Sequence, residues 1–475
     1  MFINNQEIFN VLPLIIISAG IVISLLIEMY SKKSESFLPW FAVLLFLSAG
    51  LHSIWYAKDI SVILQGMIAT GGNVNIFYSI FCFGAAIVTL LSIDYIKKYG
   101  TYFGEYYIII QISVLGMMLM ASAKDLLVIF LGLELMSIPF YILAGMNRKK
   151  SNANEASLKY FLLGAFATGF IVYGIALIYG SATTTSLEFI TVNFSALINN
   201  ALFIVGILLF LIGFSFKIAA FPFHMWVPDV YEGSPTTVAA LFSTAGKTAA
   251  FSAIISALFA LFNGVEGNLF TPYLAIISLL SMFYGSIVAI AQDNIKRMLA
   301  YSSISHAGYL AIGLAAGNHD AVAGIIFYLT AYTFMNLGVF GIISVIEGEG
   351  EVNLNIHSYS GLGNRKPLLA ASLALLMFAL AGLPPFAGFF GKYYIFIAAI
   401  KAKLTWLAIL GVISSAISVY FYLRIIVLMY FKNSEEEFQI TDSRNANIAI
   451  LLSVALVILL GIFPGSFLDL ITSFI

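Results

Sequence analysis

Runs of about twenty consecutive apolar residues recur from one end of this chain to the other, and that repetition limits its possible folds more than any motif does. Each run is long enough to cross the hydrocarbon core of a bilayer as a helix. Of 475 residues, 61% are apolar and 9% are charged, with a mean hydropathy of +1.00. Soluble domains carry roughly 25% charged residues, so most of this surface meets lipid, and no polar stretch is long enough for a separate soluble domain. The runs are continuously apolar rather than alternating, which excludes a closed barrel. A net charge of −1 argues against a nucleic-acid partner.

The chain has one cysteine, Cys82, inside an apolar run. It allows no internal disulfide, and an iron–sulfur cluster needs several such ligands; a small buried hydrophobe is the expected role. No GxGxxG after a strand, no Walker loop and no HExxH is present, so nucleotide, flavin and zinc chemistry belong to other chains. His306 and His319 stand thirteen apart, near the spacing of membrane haem ligands. The remaining histidines (His52, His224 and His357) supply no matching pair, and haem is set aside. Met1 to Asn10 contains no basic residue, so the first apolar run is expected to stay as a helix rather than serve as a secretory signal.

Fourteen spans are expected, at about 11–29, 37–57, 74–96, 105–121, 124–145, 157–180, 199–221, 235–262, 271–291, 298–317, 321–346, 367–400, 404–430 and 446–470. The 22 Lys and Arg test this count. With the N-terminus outside, the inner loops hold Lys32, Lys33, Lys97, Lys98, Arg148, Lys149, Lys150, Lys296, Arg297, Arg365, Lys366, Lys432 and Arg444. The outer loops hold only Lys58, Lys124, Lys401 and Lys403. Thirteen against four is a strong positive-inside bias, which a missed span would scramble. Both termini are then expected outside.

Five basic residues fall within spans: Lys159, Lys217, Lys247, Lys392 and Arg424. A lysine at the centre of a membrane helix costs roughly 2.5–3.5 kcal/mol, so it pairs, faces a wet cavity or does a job. Lys159 and Arg424 are also open to snorkelling towards the headgroups. Lys217, Lys247 and Lys392 lie too deep for that to be the simpler account. Glu134, in DLLVIFLGLELMSIPFYIL, is the acidic counterpart. A buried carboxylate and a buried ammonium each favour the other's charged form, so a Glu that approaches or leaves a Lys changes that lysine's hold on its proton. A fixed structural ion pair is the plainer alternative. His224 and His306 add groups that titrate near neutrality, with a structural role equally open for each.

Two spans carry prolines beside a buried lysine: Phe216-Lys217-Ile218-Ala219-Ala220-Phe221-Pro222, and Gly382-Leu383-Pro384-Pro385 ahead of Gly388 to Lys392. Such breaks survive in a membrane only where protein or water satisfies the freed carbonyls. Residues 105–262 and 271–430 each hold five spans, and an odd number inverts the second unit relative to the first. The expected fold is an all-α polytopic membrane protein of about fourteen transmembrane helices, with two inverted five-helix repeats that each contain a broken helix. The divisions are a three-helix segment over 1–104, repeats over 105–262 and 263–430, and a last span over 431–475. Lys217 and Lys392 then become counterparts. The line Glu134, Lys217, Lys247, His306, Lys392 could run along the mid-membrane, with water relaying protons between the groups.

The stretch from Phe216 to Phe251, FKIAAFPFHMWVPDVYEGSPTTVAALFSTAGKTAAF, closely resembles the antiporter-like subunits of respiratory complex I, the NADH:quinone oxidoreductase, whose relatives are the Mrp-type cation/proton antiporters. GLELMSIPFYIL, LKYFLLGAFATGF, NIKRMLAYSSISHAGY and LPPFAGFFGKYYIF extend the resemblance over about residues 100 to 430. It implies a proton-path glutamate at Glu134, a lysine it modulates at Lys217, a central relay at Lys247 and a terminal coupling lysine at Lys392. His306 and Lys159 match motif positions with less settled roles, and His224 lies in the same motif. The resemblance further implies a subunit of the bacterial inner membrane without its own redox centre, packed against other membrane subunits. NAD, FMN, iron–sulfur clusters and quinone would then be held by partner subunits. A related complex fed by ferredoxin or a hydrogenase, and a stand-alone cation/proton antiporter, are the alternatives.

Overall fold

The structure is a computed structural model that describes residues 5–31, 33–55, 60–98, 104–262, 270–348, 352–433 and 443–475. Lys32, Lys58 and the first four residues lie outside the described residues. The chain opens with α1 (Asn5–Tyr30) and α2 (Ser34–Trp55). A short antiparallel hairpin follows, β1 (Ser61–Ile63) on β2 (Ile68–Thr70), with Ser61 opposite Thr70, and then α3 (Asn73–Lys98). Next come α4 (Glu105–Ser122), α5 (Leu126–Ala144) and α6 (Ser151–Ala182), then the short α7 (Leu187–Val192) and α8 (Phe194–Leu197). After α9 (Ala201–Lys217) and α10 (Trp226–Gly233), α11 (Thr236–Leu241) continues through one π turn, Phe242–Gly246, into α12 (Lys247–Phe262). The second half comprises α13 (Thr271–Ile290), α14 (Ile295–Ala316), α15 (His319–Ile346), the single turn α16 (Leu362–Arg365), α17 (Pro367–Ala381), α18 (Ala387–Lys401) and α19 (Thr405–Phe431). α20 (Arg444–Ile462) and α21 (Pro464–Thr472) close the described chain.

Among the described residues, eleven helices are long and apolar enough to cross a membrane, counting α11 to α12 as one. The expected fourteen are completed by α14, whose first turn carries Lys296 and Arg297, and by the two interrupted spans, α9 with α10 and α17 with α18. The last expected span, 446–470, is two helices rather than one. Pro464 has no N–H to continue α20 but suits the first turn of a new helix, and so starts α21. Polar caps fix where the spans begin. Asp125 accepts from Leu127 N, Asn200 from Leu202 N, Asn318 from Ala321 N and Ser443 from Ala446 N.

The core is α15 with α3 and the α11–α12 run, buried along nearly their whole length, whereas α1, α6 and α20 bury only 33% of their apolar windows. Leu158, Phe161, Leu162, Phe166 and Tyr173 leave one side of α6 exposed as a continuous apolar stripe, as a lipid-facing helix requires. In lipid, helices gain little by hiding apolar surface from one another, and association rests on close backbone packing. Gly116 of α4 faces Gly132 of α5, and Gly174 of α6 faces Gly206 of α9. A Cβ on Gly174 would lie 2.7 Å from the Gly206 carbonyl, and one on Gly206 would lie 2.9 Å from that of Gly174.

Candidate functional site

Both expected breaks are present, and each is stitched by side chains. α9 stops at Lys217, where Ala219 takes a left-handed conformation and Pro222 withholds an N–H. The Phe216 carbonyl accepts from Trp226 Nε1 at 3.0 Å, and Phe221 N donates to Ser281 Oγ at 2.9 Å. α17 stops at Ala381 with Gly382 at φ +83°, a value glycine adopts without strain. The Ala381 and Leu380 carbonyls accept from Lys392 Nζ at 3.0 and 3.4 Å.

Lys217, Lys247 and Lys392 are 7%, 3% and 4% exposed, so they lie within protein rather than at a lipid surface, and none reaches out to the headgroups. Lys217 Nζ donates to Ser137 Oγ at 2.9 Å and to Tyr141 Oη at 3.2 Å. Both acceptors share a face of α5 with Glu134, three and seven residues further on. The half-buried Glu134 carboxylate itself accepts from Thr168 Oγ1 of α6 at 2.9 Å. The two hydroxyls that receive Lys217 thus stand about one and two helical turns from Glu134 on the same face of α5.

Lys247 opens α12 directly after the π turn, a feature frequent at functional sites. Its ammonium donates to the Ser303 carbonyl at 2.6 Å and to Ser303 Oγ, and lies 5.5 Å from the Tyr332 ring centre. One turn on from Ser303 is His306, whose ring is 4.9 Å from the same Tyr332. His306 Nδ1 meets Tyr328 Oη at 2.5 Å, and Nε2 meets Tyr422 Oη at 2.9 Å. Tyr309 continues the line, 5.8 Å from His306 ring to ring and 4.9 Å below Lys392 Nζ. Lys392 also donates to Ser415 Oγ at 2.8 Å. From Lys247 to Lys392, every neighbouring pair of ionisable groups therefore shares an intervening tyrosine or serine. Between Lys217 and Lys247 the packing is aromatic instead: Tyr141 on Tyr160, Tyr160 on Phe242, and Phe140 on Phe242.

Lys159, Arg424 and His224 stand apart from this line. Lys159 is partly exposed and pairs with Glu155 at 2.6 Å and Asp229 at 2.8 Å. Asp229 also receives Arg297 at 2.8 Å, and Arg297 bridges on to Glu232 at 2.7 Å. Arg424 pairs with Asp293 at 2.8 Å. These pairs lie at the face that carries most of the lysines and arginines. His224 is buried against Phe221 and Tyr284, ring centres 5.3 and 4.5 Å away, and its Nδ1 has no hydrogen-bond partner among the described residues. The break at Pro222 turns it out of the lysine line. Lys296, expected in a loop, instead sits fully buried in the first turn of α14, where its Nζ donates to the Ser234 carbonyl at 2.7 Å.

Residues 123–418 match the family described as NADH:quinone oxidoreductase/Mrp antiporter, transmembrane. The chain is 43% identical to the NADH-quinone oxidoreductase subunit N of Trichlorobacter lovleyi, over 99% of its own length and 98% of the relative's. It is similar in structure to a chain of the respiratory complex I from Thermus thermophilus with bound aureothin, at TM-score 0.83 and 31% identity, covering 96% and 98% of the two chains. A chain of the Mrp complex from Dietzia sp. DQ12-45-1b shares the fold at TM-score 0.86 and 19% identity, covering 98% and 97%. The protein belongs to the NADH:quinone oxidoreductase/Mrp antiporter family of polytopic membrane subunits.

Proposed function

We propose that this chain is a proton-translocating membrane subunit of an NADH:quinone oxidoreductase, corresponding to subunit N. The observation that carries this reading is the buried series Lys217, Lys247, His306 and Lys392. Apart from the aromatic interval after Lys217, it is linked by hydroxyls and aromatic faces across the width of the protein. Hydroxyls that both donate and accept can pass a proton along a line of bases. Movement of charge in a neighbouring subunit draws Glu134 towards or away from Lys217. That alters how firmly Lys217 holds its proton and sends a proton towards Lys247, His306 and Lys392.

NAD, FMN, iron–sulfur clusters and quinone are held by partner subunits in this reading, and quinone reduction there drives the movement. The lysine-rich face is the cytoplasmic one, with both termini on the periplasmic side of the bacterial inner membrane. Residues 105–262 and 263–430 form two inverted repeats. In support, the first two helices of each pack through glycines, Gly116 on Gly132 in one and Gly285 against the α14 backbone in the other. Both fourth spans are broken beside a lysine.

The test is Lys217→Met in the intact complex. Assembly and electron transfer from NADH to ferricyanide should persist, while the number of protons moved per electron falls. An unchanged ratio would sink the reading.

A further inference from the structure

The pair α4 and α5 and the pair α13 and α14 are built alike. A Cβ on Gly116 would lie 2.5 Å from Met136 N and 2.7 Å from the Gly132 carbonyl oxygen. One on Gly285 would lie 2.5 Å from Ser305 N and 2.7 Å from the Tyr301 carbonyl oxygen. Gly132 and Met136 stand as far beyond Gly116 in the chain as Tyr301 and Ser305 stand beyond Gly285. The same displacement takes the cap Asp125, which bridges to Ser186, onto the cap Asn294, which bridges to Asn355. It also takes the bond from Leu126 N to the Thr185 carbonyl, at 3.0 Å, onto that from Ile295 N to the Leu354 carbonyl, at 2.8 Å. Applied to Glu134, it falls on Ser303.

A position that holds a carboxylate on α5 therefore holds a hydroxyl on α14, and it is this hydroxyl that meets the central lysine. Among the described residues, both acceptors of Lys247 Nζ belong to Ser303: the carbonyl at 2.6 Å, and Oγ. Ser303 Oγ also meets Tyr231 Oη of α10 at 3.3 Å, a contact in which either oxygen can donate. Both side chains are buried. A lysine that passes a proton on has to be held in two states. The ammonium only donates, whereas the neutral amine exposes a lone pair that calls for a donor. A carbonyl answers the first need alone. An ionised carboxylate also only accepts, and it holds the lysine in its charged form. A hydroxyl donates as well as accepts, and so answers both needs.

We propose that Ser303 is the positioning residue for Lys247, keeping the lysine nitrogen in place in its charged and its neutral state by reversing the hydrogen bond between Ser303 and Tyr231. With the ammonium present, Ser303 Oγ accepts from Lys247 Nζ and donates to Tyr231 Oη. Once the proton has left, Tyr231 Oη donates to Ser303 Oγ, and Ser303 Oγ donates to the amine lone pair. Only hydroxyl hydrogens rotate. No covalent bond is made or broken at Ser303 or Tyr231, and the proton gained and lost in each cycle is that of Lys247. This role presupposes the proton-translocating reading above. A serine that merely filled space would give way to alanine with no effect on pumping.

The test compares S303A, S303T, S303D, Y231F and K247M in the intact complex. Proton uptake is followed in inside-out membrane vesicles during NADH oxidation, with NADH:ferricyanide activity as the measure of assembly. Ferricyanide activity should be normal throughout. Protons per electron should fall in S303A and recover in S303T, which keeps the hydroxyl. S303D should lose as much as K247M, because a carboxylate there pins the ammonium. Y231F should match S303A, and the double variant S303A/Y231F should lose no more than either. A wild-type ratio in S303A, Y231F or S303D, beside a loss in K247M, would overturn the positioning role and leave the broader reading intact. A wild-type ratio in K247M would overturn the broader reading itself. If S303A does not assemble, S303T and S303V decide, since they share a shape and differ in the hydroxyl. Pumping in the threonine variant alone supports the role, and equal ratios in the two refute it.

Discussion

Lys392 and Ala381 meet across the break between α17 and α18, the lysine ammonium donating to the carbonyl that ends the first half-helix at 3.0 Å. One group therefore carries charge and also closes an interrupted helix. The Leu380 carbonyl and Ser415 Oγ share the same donor, so the shape of the break depends on where this ammonium points.

Lys392→Met removes this shared donor. Each buried carbonyl left unpaired costs about 1–3 kcal/mol, so the variant complex should inactivate at a lower temperature as well as pump less. Lys392→Arg should recover stability better than pumping. Thermal inactivation curves of the two variants, set beside their proton-to-electron ratios, separate the two roles. Equal losses of both properties in Lys392→Arg would contradict the division.

His306 is held at both ring nitrogens by tyrosine hydroxyls, which fixes one nitrogen as donor and the other as acceptor while the ring is neutral. Tyr422→Phe frees Nε2 and also parts Tyr422 from Ser302, whereas Tyr328→Phe frees Nδ1. Each should slow proton movement with assembly intact. The double variant should lose less than the sum of the singles, because both act on one ring. Strictly additive losses in proton uptake would mean that the tyrosines act independently of His306.

Gly206→Leu forces a side chain into the Gly174 backbone of α6. Overpacking typically costs about 1–3 kcal/mol, and here the obstacle is main chain that cannot rotate aside. The level of the chain in purified complex should fall sharply, as quantitative immunoblotting would read. The same substitution at Gly169 of α6, where a Cβ meets nothing within 4 Å, should be tolerated.

Asp229 takes both Lys159 and Arg297, yet those partners also hold Glu155 and Glu232 respectively. All five side chains are partly exposed, and ion pairs so placed contribute about 0–1 kcal/mol. Asp229→Ala should accordingly lower stability by no more than about 1 kcal/mol. A larger drop in thermal stability would show that this network clamps α10 to α6 and α14.

The spans and both breaks were legible in the sequence because long apolar runs and intramembrane prolines have few other uses. Glu134, Lys217, Lys247 and Lys392 stood out because a charge in a membrane helix is costly wherever it is put. Ser137, Tyr141, Ser303, Tyr328, Tyr309 and Tyr422, which join those groups, carry no such penalty and look like ordinary span residues. Only helix packing decides which of them face the line. The spacing of Tyr328 and Tyr332, one turn apart, and the cluster Ser302, Ser303, Ser305 are the signals that could have flagged them. Lys296 was placed in a loop because hydropathy cannot distinguish the first buried turn of a helix from the connection before it. His224 follows Lys217 by seven residues, but the break at Ala219–Pro222 comes between them, and its ring packs against Phe221 and Tyr284.

The near-complete enclosure of α15 bears on how the molecule is made. α17, α18 and α20, which cover one side of it, are synthesised later, so α15 enters the bilayer with that side bare. Thr330 and Asn336 each bond to a carbonyl four residues back in the same helix, so these polar groups ask nothing of lipid while it waits. The innermost helix of the finished protein is therefore equipped to stand at the periphery of the nascent one, and a chain halted before α17 would display it to whatever surveys the membrane for orphaned helices.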